Sequence, residues 1–291
     1  MKIIAPVNNK GGVGKTKTLT ILAEYLSKYT DKRVLGIDFD PQCNFSKLFL
    51  KMELDPAAPE GVMPPIHPDY DVNDLDTEGD GRSSVADIFF GKPFYPYSTT
   101  FNNFDIAPGH ADKLLHAEAV RRNEVAEKVH KQLSILLDSQ ELQDAYDIVL
   151  IDTAPSKGPL TVSVLKAATH VFIPTLMEEQ SIQGLYGMMQ LWMQEAPIRS
   201  KQKPLNLIGI LPNMFDKTTS LHPGMLASLM EIEALAKYIM PLKLGDRIIY
   251  AETDAETANP KSVFDLPKSN LAKQEALQFC EYVMQKVYEN G

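Results

Sequence analysis

Cysteine is scarce in this chain. Its 291 residues include two, Cys43 and Cys280, far apart and in no CxxC pair. That excludes a disulfide scaffold and a cysteine-built metal or redox centre, and it points to a reducing compartment. Long apolar runs are missing as well: no stretch approaches the roughly 18 apolar residues of a spanning helix. The opening Met1–Val7 turns polar at Asn8-Asn9-Lys10, short of a secretory apolar region. A cytoplasmic protein without a membrane part is expected. Excess positive charge is absent too. Lys and Arg number 29 against 38 Asp and Glu, a net charge of -9, which argues against a globally basic nucleic-acid binder. There is no internal repeat and no low-complexity tract.

What remains is ordinary globular material, 44% apolar and 23% charged, long enough for a full hydrophobic core. The charge is uneven. Between Lys51 and Asp105 stand eleven acids and three bases, so this segment carries -8 of the -9. The rest is close to neutral, which leaves room for a basic patch elsewhere. The same region is proline-rich from Pro56 to Gly81. It reads as an acidic insertion or loop, about residues 53–81, within a single domain spanning 1–291. It is either a solvated loop or a surface that repels DNA or docks a basic peptide.

Apolar runs at Lys2–Val7, Arg33–Phe39, Asp147–Ile151, His170–Pro174 and Leu205–Leu211 predict strands, with Pro6 near the end of the first. Helical spacing predicts helices over Thr16–Tyr29, Ala117–Leu137, Ser181–Gln194, Leu226–Ile239 and Leu271–Val287. Strands alternating with helices imply an α/β fold: a doubly wound, mainly parallel sheet with helices on both faces.

Between the first strand and first helix lies Asn9-Lys10-Gly11-Gly12-Val13-Gly14-Lys15-Thr16. Glycines let the backbone turn its N–H groups inward, and a row of N–H groups backed by a helix N-terminus holds phosphate. Lys15 then neutralises β- and γ-phosphates and the Thr16 hydroxyl ligates Mg²⁺. The strict GxxxxGK[ST] pattern fails at its first glycine, where Asn9 stands. Ligands of α/β sheets sit beyond the carboxyl ends of the strands, so Asp38, Asp40 and Asp152, each following an apolar run, are expected near the nucleotide.

The sequence resembles the deviant-Walker ATPases of the ParA/MinD family, over most of its length. The motifs are the KGGxGKT loop, Asp38-Phe39-Asp40-Pro41-Gln42 and Asp152-Thr153-Ala154-Pro155-Ser156. The resemblance implies that Lys10 reaches across an ATP-sandwich homodimer to the partner subunit's nucleotide. It implies that Asp40 orients or activates the attacking water, and that Asp38 and Asp152 support Mg²⁺ beside Thr16. The cofactor-binding set becomes Lys10, Gly11, Gly12, Val13, Gly14, Lys15, Thr16 and Lys17, with Asn213 on the adenine side; Lys10, Lys15 and Asp40 form the catalytic set. Two positions depart from the pattern: Lys17 replaces a second threonine, and Lys157 replaces an apolar residue. Lys157 either faces solvent or acts as a second interface cation, as in relatives that position carboxysomes.

Three functions compete. The first is a partition or positioning ATPase: an ATP-closed dimer binds DNA without sequence preference and sits on the nucleoid. An adaptor of the ParB or McdB kind releases it, and the cargo is a plasmid, a chromosome or a protein body. Arg199, Lys201, Lys203, Lys243, Arg247 and Lys273 are the candidate DNA contacts. The second is a MinD-like membrane switch, opposed by Glu275, Glu281 and Glu289 in the last helix. The third is an ATP-dependent metabolic ligase, which has no use for Lys10. The first is expected, with ATP and Mg²⁺ as cofactors and no membrane partner.

Overall fold

The computed structural model describes residues 1–58, 60–71, 80–120, 123–255 and 261–289, the side chains of 123–125 excepted. β1 (Lys2–Pro6) leads through the glycine loop into α1 (Lys15–Tyr29). β2 (Val34–Phe39) follows, then the short α2 (Asn44–Phe49). The segment expected to be a proline-rich loop opens with a small antiparallel hairpin, β3 (Glu53–Leu54) on β4 (Val62–Met63). Three of its acids, Asp74, Asp76 and Glu78, lie outside the described residues. β5 (Tyr97–Ser98) and β6 (Phe104–Ala107) come next. They are too short to print a period-2 pattern, so the sequence hides them. The helix expected over Ala117–Leu137 is two helices, α3 (Ala111–Glu118) and α4 (Asn123–Leu137). Then come α5 (Gln140–Ala145), β7 (Ile148–Thr153), α6 (Pro159–Ala167), β8 (His170–Thr175), α7 (Glu179–Glu195) and β9 (Asn206–Pro212). The helix expected over Leu226–Ile239 is also broken, into α8 (Leu221–Glu231) and α9 (Glu233–Ala236). α10 (Ile248–Glu252) and α11 (Leu271–Tyr288) follow.

Among the described residues the main sheet has seven strands in the order β5-β6-β2-β7-β1-β8-β9. Every pair is parallel except β5 with β6. Pro6 is tolerated in the central strand because it is its last residue; its carbonyl accepts from Thr153 Oγ1 at 2.6 Å. Alternate side chains feed two separate cores, as the pleat demands. Ile3, Ala5, Leu35, Ile37, Val149 and Ile151 pack under α3, α4, α6 and α7. Ile4, Val34, Ile148 and Leu150 pack under α1 and α11, with Leu19, Leu22, Leu26, Phe279 and Val283. Gly36 faces this second core, where a Cβ would come within 2.7 Å of the Phe104 ring and 2.9 Å of Phe45. Helices on both faces make the sheet doubly wound, as expected.

From β1 the chain crosses to β2 on one side of the sheet, whereas β7 leads past β1 to β8 on the other. Such a reversal opens a crevice beyond the carboxyl ends of the strands. The ends of β1, β2 and β7 face it with the glycine loop, Asp38–Asp40 and Asp152.

Candidate nucleotide-binding site

The loop after β1 is fixed at several points. Asn8 Nδ2 donates to Pro174 O at 2.8 Å, and Asn8 Oδ1 accepts from the Lys10 N–H at 3.0 Å. Gly12 and Gly14 take left-handed φ angles of 74° and 84°, which glycine alone adopts without strain. At Gly14 space adds a second requirement, since a Cβ there would overlap the Asn213 amide. Asn213 Nδ2 donates to Val13 O at 2.8 Å. The structure therefore places Asn213, expected on the adenine side, as a buried brace under the loop; its neighbour Met214 lines the pocket.

Gly14 is also the N-cap of α1, so Lys15 and Thr16 open the helix with free N–H groups toward the crevice. Lys15 is buried, and its ammonium has one long hydrogen bond, 3.4 Å to Lys10 O. Burial pulls its pKa down, and the nearby Asp152 and Asp40 partly offset this. Thr16 Oγ1 donates to Asp152 Oδ2 at 2.7 Å. Asp152 Oδ1 is buried without a hydrogen-bond partner. Asp38 and Asp152 are register partners on adjacent strands, both fully buried. Burial, then the Asp38 charge, pushes Asp152 well above the usual carboxylate range. Asp38 is pushed up to about 6, again mainly by burial. Its Oδ2 accepts from the Ser46 N–H and hydroxyl, both at 2.7 Å, and its Oδ1 from the Asp40 N–H at 3.1 Å. Asp38 thus ties the start of α2 to the end of β2. Asp40 Oδ1 accepts from the Gln42 N–H at 2.9 Å; burial raises its pKa, opposed by that bond and by Lys15 and Lys47.

These groups surround a pocket of about 540 Å³ lined by residues 11–17, Asp40, Gln42, Asn44, Lys47, Leu48, Pro155, Met214 and Asp254. The fit to a Mg²⁺-polyphosphate rests on two observations: a buried ammonium short of acceptors, and an orphaned carboxylate oxygen beside a threonine hydroxyl. Among the described residues no three His, Cys, Asp or Glu side chains form a metal cluster.

Lys10 does not enter this pocket. Its Nζ donates to Gln180 Oε1 at 2.9 Å, at the start of α7. Lys157 is exposed and lies against Gly187 of the same helix. Lys17 lines the pocket and donates to Asp254 Oδ1 at 2.5 Å. Sequence reasoning missed Gln180, Ser46, Lys47 and Asp254. Ser46 and Lys47 sit in an unremarkable six-residue helix, and Gln180 and Asp254 reach the site only through the fold.

The six candidate DNA contacts are not gathered. Arg199, Lys201 and Lys203 precede β9, while Lys243 and Arg247 follow its far end, where Leu244 N–H donates to Pro212 O. The strand between them is seven residues, roughly 23 Å. Most are also engaged. Arg199 donates to the Leu165 and Lys166 carbonyls at the end of α6, at 2.9 and 2.6 Å. Lys203 pairs with Asp138. Arg247 forks onto Glu275, at 2.9 and 2.6 Å. Lys273 caps the Phe264 and Leu266 carbonyls, and Lys243 lies 4.2 Å from the centre of the Phe215 ring. Lys201 is exposed. No helix among the described residues is long and apolar enough to cross a membrane.

Comparison with known proteins agrees with the geometry. Residues 1–203 match a family described as an AAA domain. The sporulation initiation inhibitor protein Soj of Bacillus subtilis is 31% identical over 81% of this chain and 79% of its own length. The chromosome-partitioning ATPase Soj of Thermus thermophilus is 32% identical over 75% of this chain and 71% of its own. The fold superposes on the ATP complex of Cyanothece McdA with a TM-score of 0.73 at 17% identity, covering 98% of this chain and 96% of that one. The chain belongs to the AAA-domain family, among its ParA/Soj-type partition ATPases.

Proposed function

We propose that this protein is a Mg²⁺-dependent positioning ATPase, a single-domain unit whose ATP-bound sandwich dimer holds nonspecific DNA. An adaptor protein stimulates hydrolysis and so releases it on the nucleoid. One observation carries the dimer: Lys15 is buried in its own pocket, whereas Lys10, on the same loop, points outward to Gln180. A loop lysine that bypasses its own phosphates is placed to serve a facing copy, where a second cation offsets charge on the transferred phosphoryl.

In this reading residues 11–16 cradle the phosphates with backbone N–H groups, and Lys15 neutralises them. Thr16 and Asp152 would hold the metal. Mg²⁺, when bound, would supply charge neutralisation to the phosphates. Asp38 holds the Asp40 segment to α2, and Asp40 takes up or orients the water proton. DNA contact then draws on the exposed Lys201 and on bases freed or doubled by dimer closure.

The apolar face of α11 gives no support to a membrane switch, because Phe279, Cys280, Val283 and Val287 are spent in the core. The test uses the Asp40→Ala protein with ATP and then ADP, titrated onto a nonspecific duplex across a salt series. The expected result is a dimer in ATP alone, with binding that falls steeply as salt rises. An ATP-dependent dimer that ignores DNA in both states would remove DNA from the proposal and turn the search to lipid vesicles and small-molecule substrates.

A further inference from the structure

Lys17 and Asp254 are charges that the phosphate loop does not account for. Lys17 is the third residue of α1, directly after Thr16. Its ammonium donates to Asp254 Oδ1 at 2.5 Å and to Thr253 Oγ1 at 3.0 Å. Both Lys17 and Asp254 line the nucleotide pocket. The Lys17 side chain is 17% exposed and that of Asp254 36%. Asp254 does not sit there by looseness of the chain. The Thr253 and Asp254 N–H groups close onto Ile249 and Ala251 at the end of α10. That helix is held to α11 by Tyr250 Oη on Ala272 O at 3.1 Å and by the Arg247–Glu275 fork. A braced carboxylate therefore stands on the wall of a pocket whose other features, the loop N–H groups, Lys15 and Lys47, suit anions.

We propose that Lys17 and Asp254 are an exchange pair that sets nucleotide affinity. In the free protein Asp254 neutralises Lys17. With a polyphosphate in the pocket, Lys17 gives its charge to the phosphates and Asp254 competes for it. A partly exposed ion pair is weak, and a charge-assisted bond to phosphate is stronger, so the exchange runs toward the nucleotide and Asp254 weakens it. This inference rests on the nucleotide reading of the pocket.

The test is calorimetric titration of the full chain with Mg²⁺-ADP and Mg²⁺-ATP in four forms: unsubstituted, Lys17→Met, Asp254→Asn and the double variant. Lys17→Met is expected to weaken binding about tenfold and Asp254→Asn to tighten it about fivefold. In the Lys17→Met background the Asp254→Asn effect should shrink to about twofold or less, because there is no longer a lysine to release. Lys17→Arg, which keeps the charge, should stay near the unsubstituted affinity and so separates loss of charge from misfolding. Equal tightening by Asp254→Asn in both backgrounds overturns the exchange and leaves plain repulsion. No change on Lys17→Met overturns it as well. An unsubstituted protein that binds neither nucleotide sinks the underlying reading instead.

Discussion

The pocket has two kinds of charge, and they are held differently. Asp38, Asp152 and Lys15 sit at strand ends or at the mouth of α1 and are buried. Their positions follow from backbone that cannot move: parallel register puts Asp38 beside Asp152, and the left-handed Gly14 puts Lys15 into the first turn. Lys10, Lys17 and Lys157 stand on the rim: Lys10 donates to Gln180, Lys17 to Asp254 and Thr253, and Lys157 lies against Gly187. The inner group is fixed but electrostatically strained, with two carboxylates sharing a dry corner. The rim group pairs with polar side chains or faces solvent, and exchange of partners is what we propose for Lys17. A nucleotide machine needs both: rigid groups to bind phosphate in any state, and mobile ones to report which state is present.

The largest effect separating the two classes is expected at Lys15. Lys15→Ala removes the buried cation of the pocket, and nucleotide affinity in calorimetry should fall more than a hundredfold, on the order of 3 kcal/mol. Lys10→Ala, on the same loop, should leave the affinity of the monomer within about threefold. Comparable losses from both would erase the distinction between inner and rim charges.

Next comes Gly14→Ala. Both the positive φ and the overlap with Asn213 oppose any side chain there. The unfolding free energy should drop by roughly 2–4 kcal/mol, with the loop's anion affinity lost alongside. A drop under 1 kcal/mol would mean that the Asn213 brace gives way easily.

The strain of the inner carboxylates has a pH signature. Native Asp38 holds its proton up to about 6, above the unfolded value of roughly 3.9. Between these values the native state binds more protons than the unfolded chain, so stability falls as pH rises. This contribution is complete below about pH 4 and is lost as pH passes 6, a drop on the order of 3 kcal/mol; Asp152 extends it upward. The nucleotide-free protein should melt lower at pH 7.5 than at pH 5.5. Asp152→Asn should flatten that dependence, raise the midpoint at pH 7.5 and weaken the Mg²⁺ dependence of nucleotide binding about tenfold or more. An unchanged pH profile in Asp152→Asn would show that the corner is not strained.

The same division decides what could be seen in the sequence. The inner groups were legible because each sits within a few residues of a strand end or glycine turn, and backbone rules act over that range. Asp40, Lys15 and Thr16 line the pocket, and Asp38 and Asp152 lie buried beside it. Asn213 was legible as a strand-end residue, but its duty as a brace for Val13 and Gly14 depends on a contact across 200 residues. Rim partners were not legible: Gln180 and Asp254 carry no motif, and Lys17 and Lys157 showed only as departures from one. The candidate DNA contacts stand on both sides of β9, a separation of seven strand residues that the sequence does not print. The hairpin in the acidic segment and the strands β5 and β6 are simply too short to leave a periodic trace.

The smallest effect is expected at Gly187, and it probes how relaxed the rim is. Gly187 lies inside α7, where glycine costs about 1 kcal/mol relative to alanine. A Cβ at this position would overlap Lys157 Nζ and Cε. These atoms are the far end of a flexible chain whose residue is exposed, unlike the buried amide that blocks Gly14. Lys157 should therefore swing into solvent at little cost, and Gly187→Ala should raise the unfolding free energy by roughly 0.5–1 kcal/mol, about 1–2 °C in midpoint for a chain of this size. A lower midpoint would mean that Lys157 is held against the helix as firmly as the inner groups are held to their strands, and the line between fixed and exchangeable charge would then have to be redrawn around it.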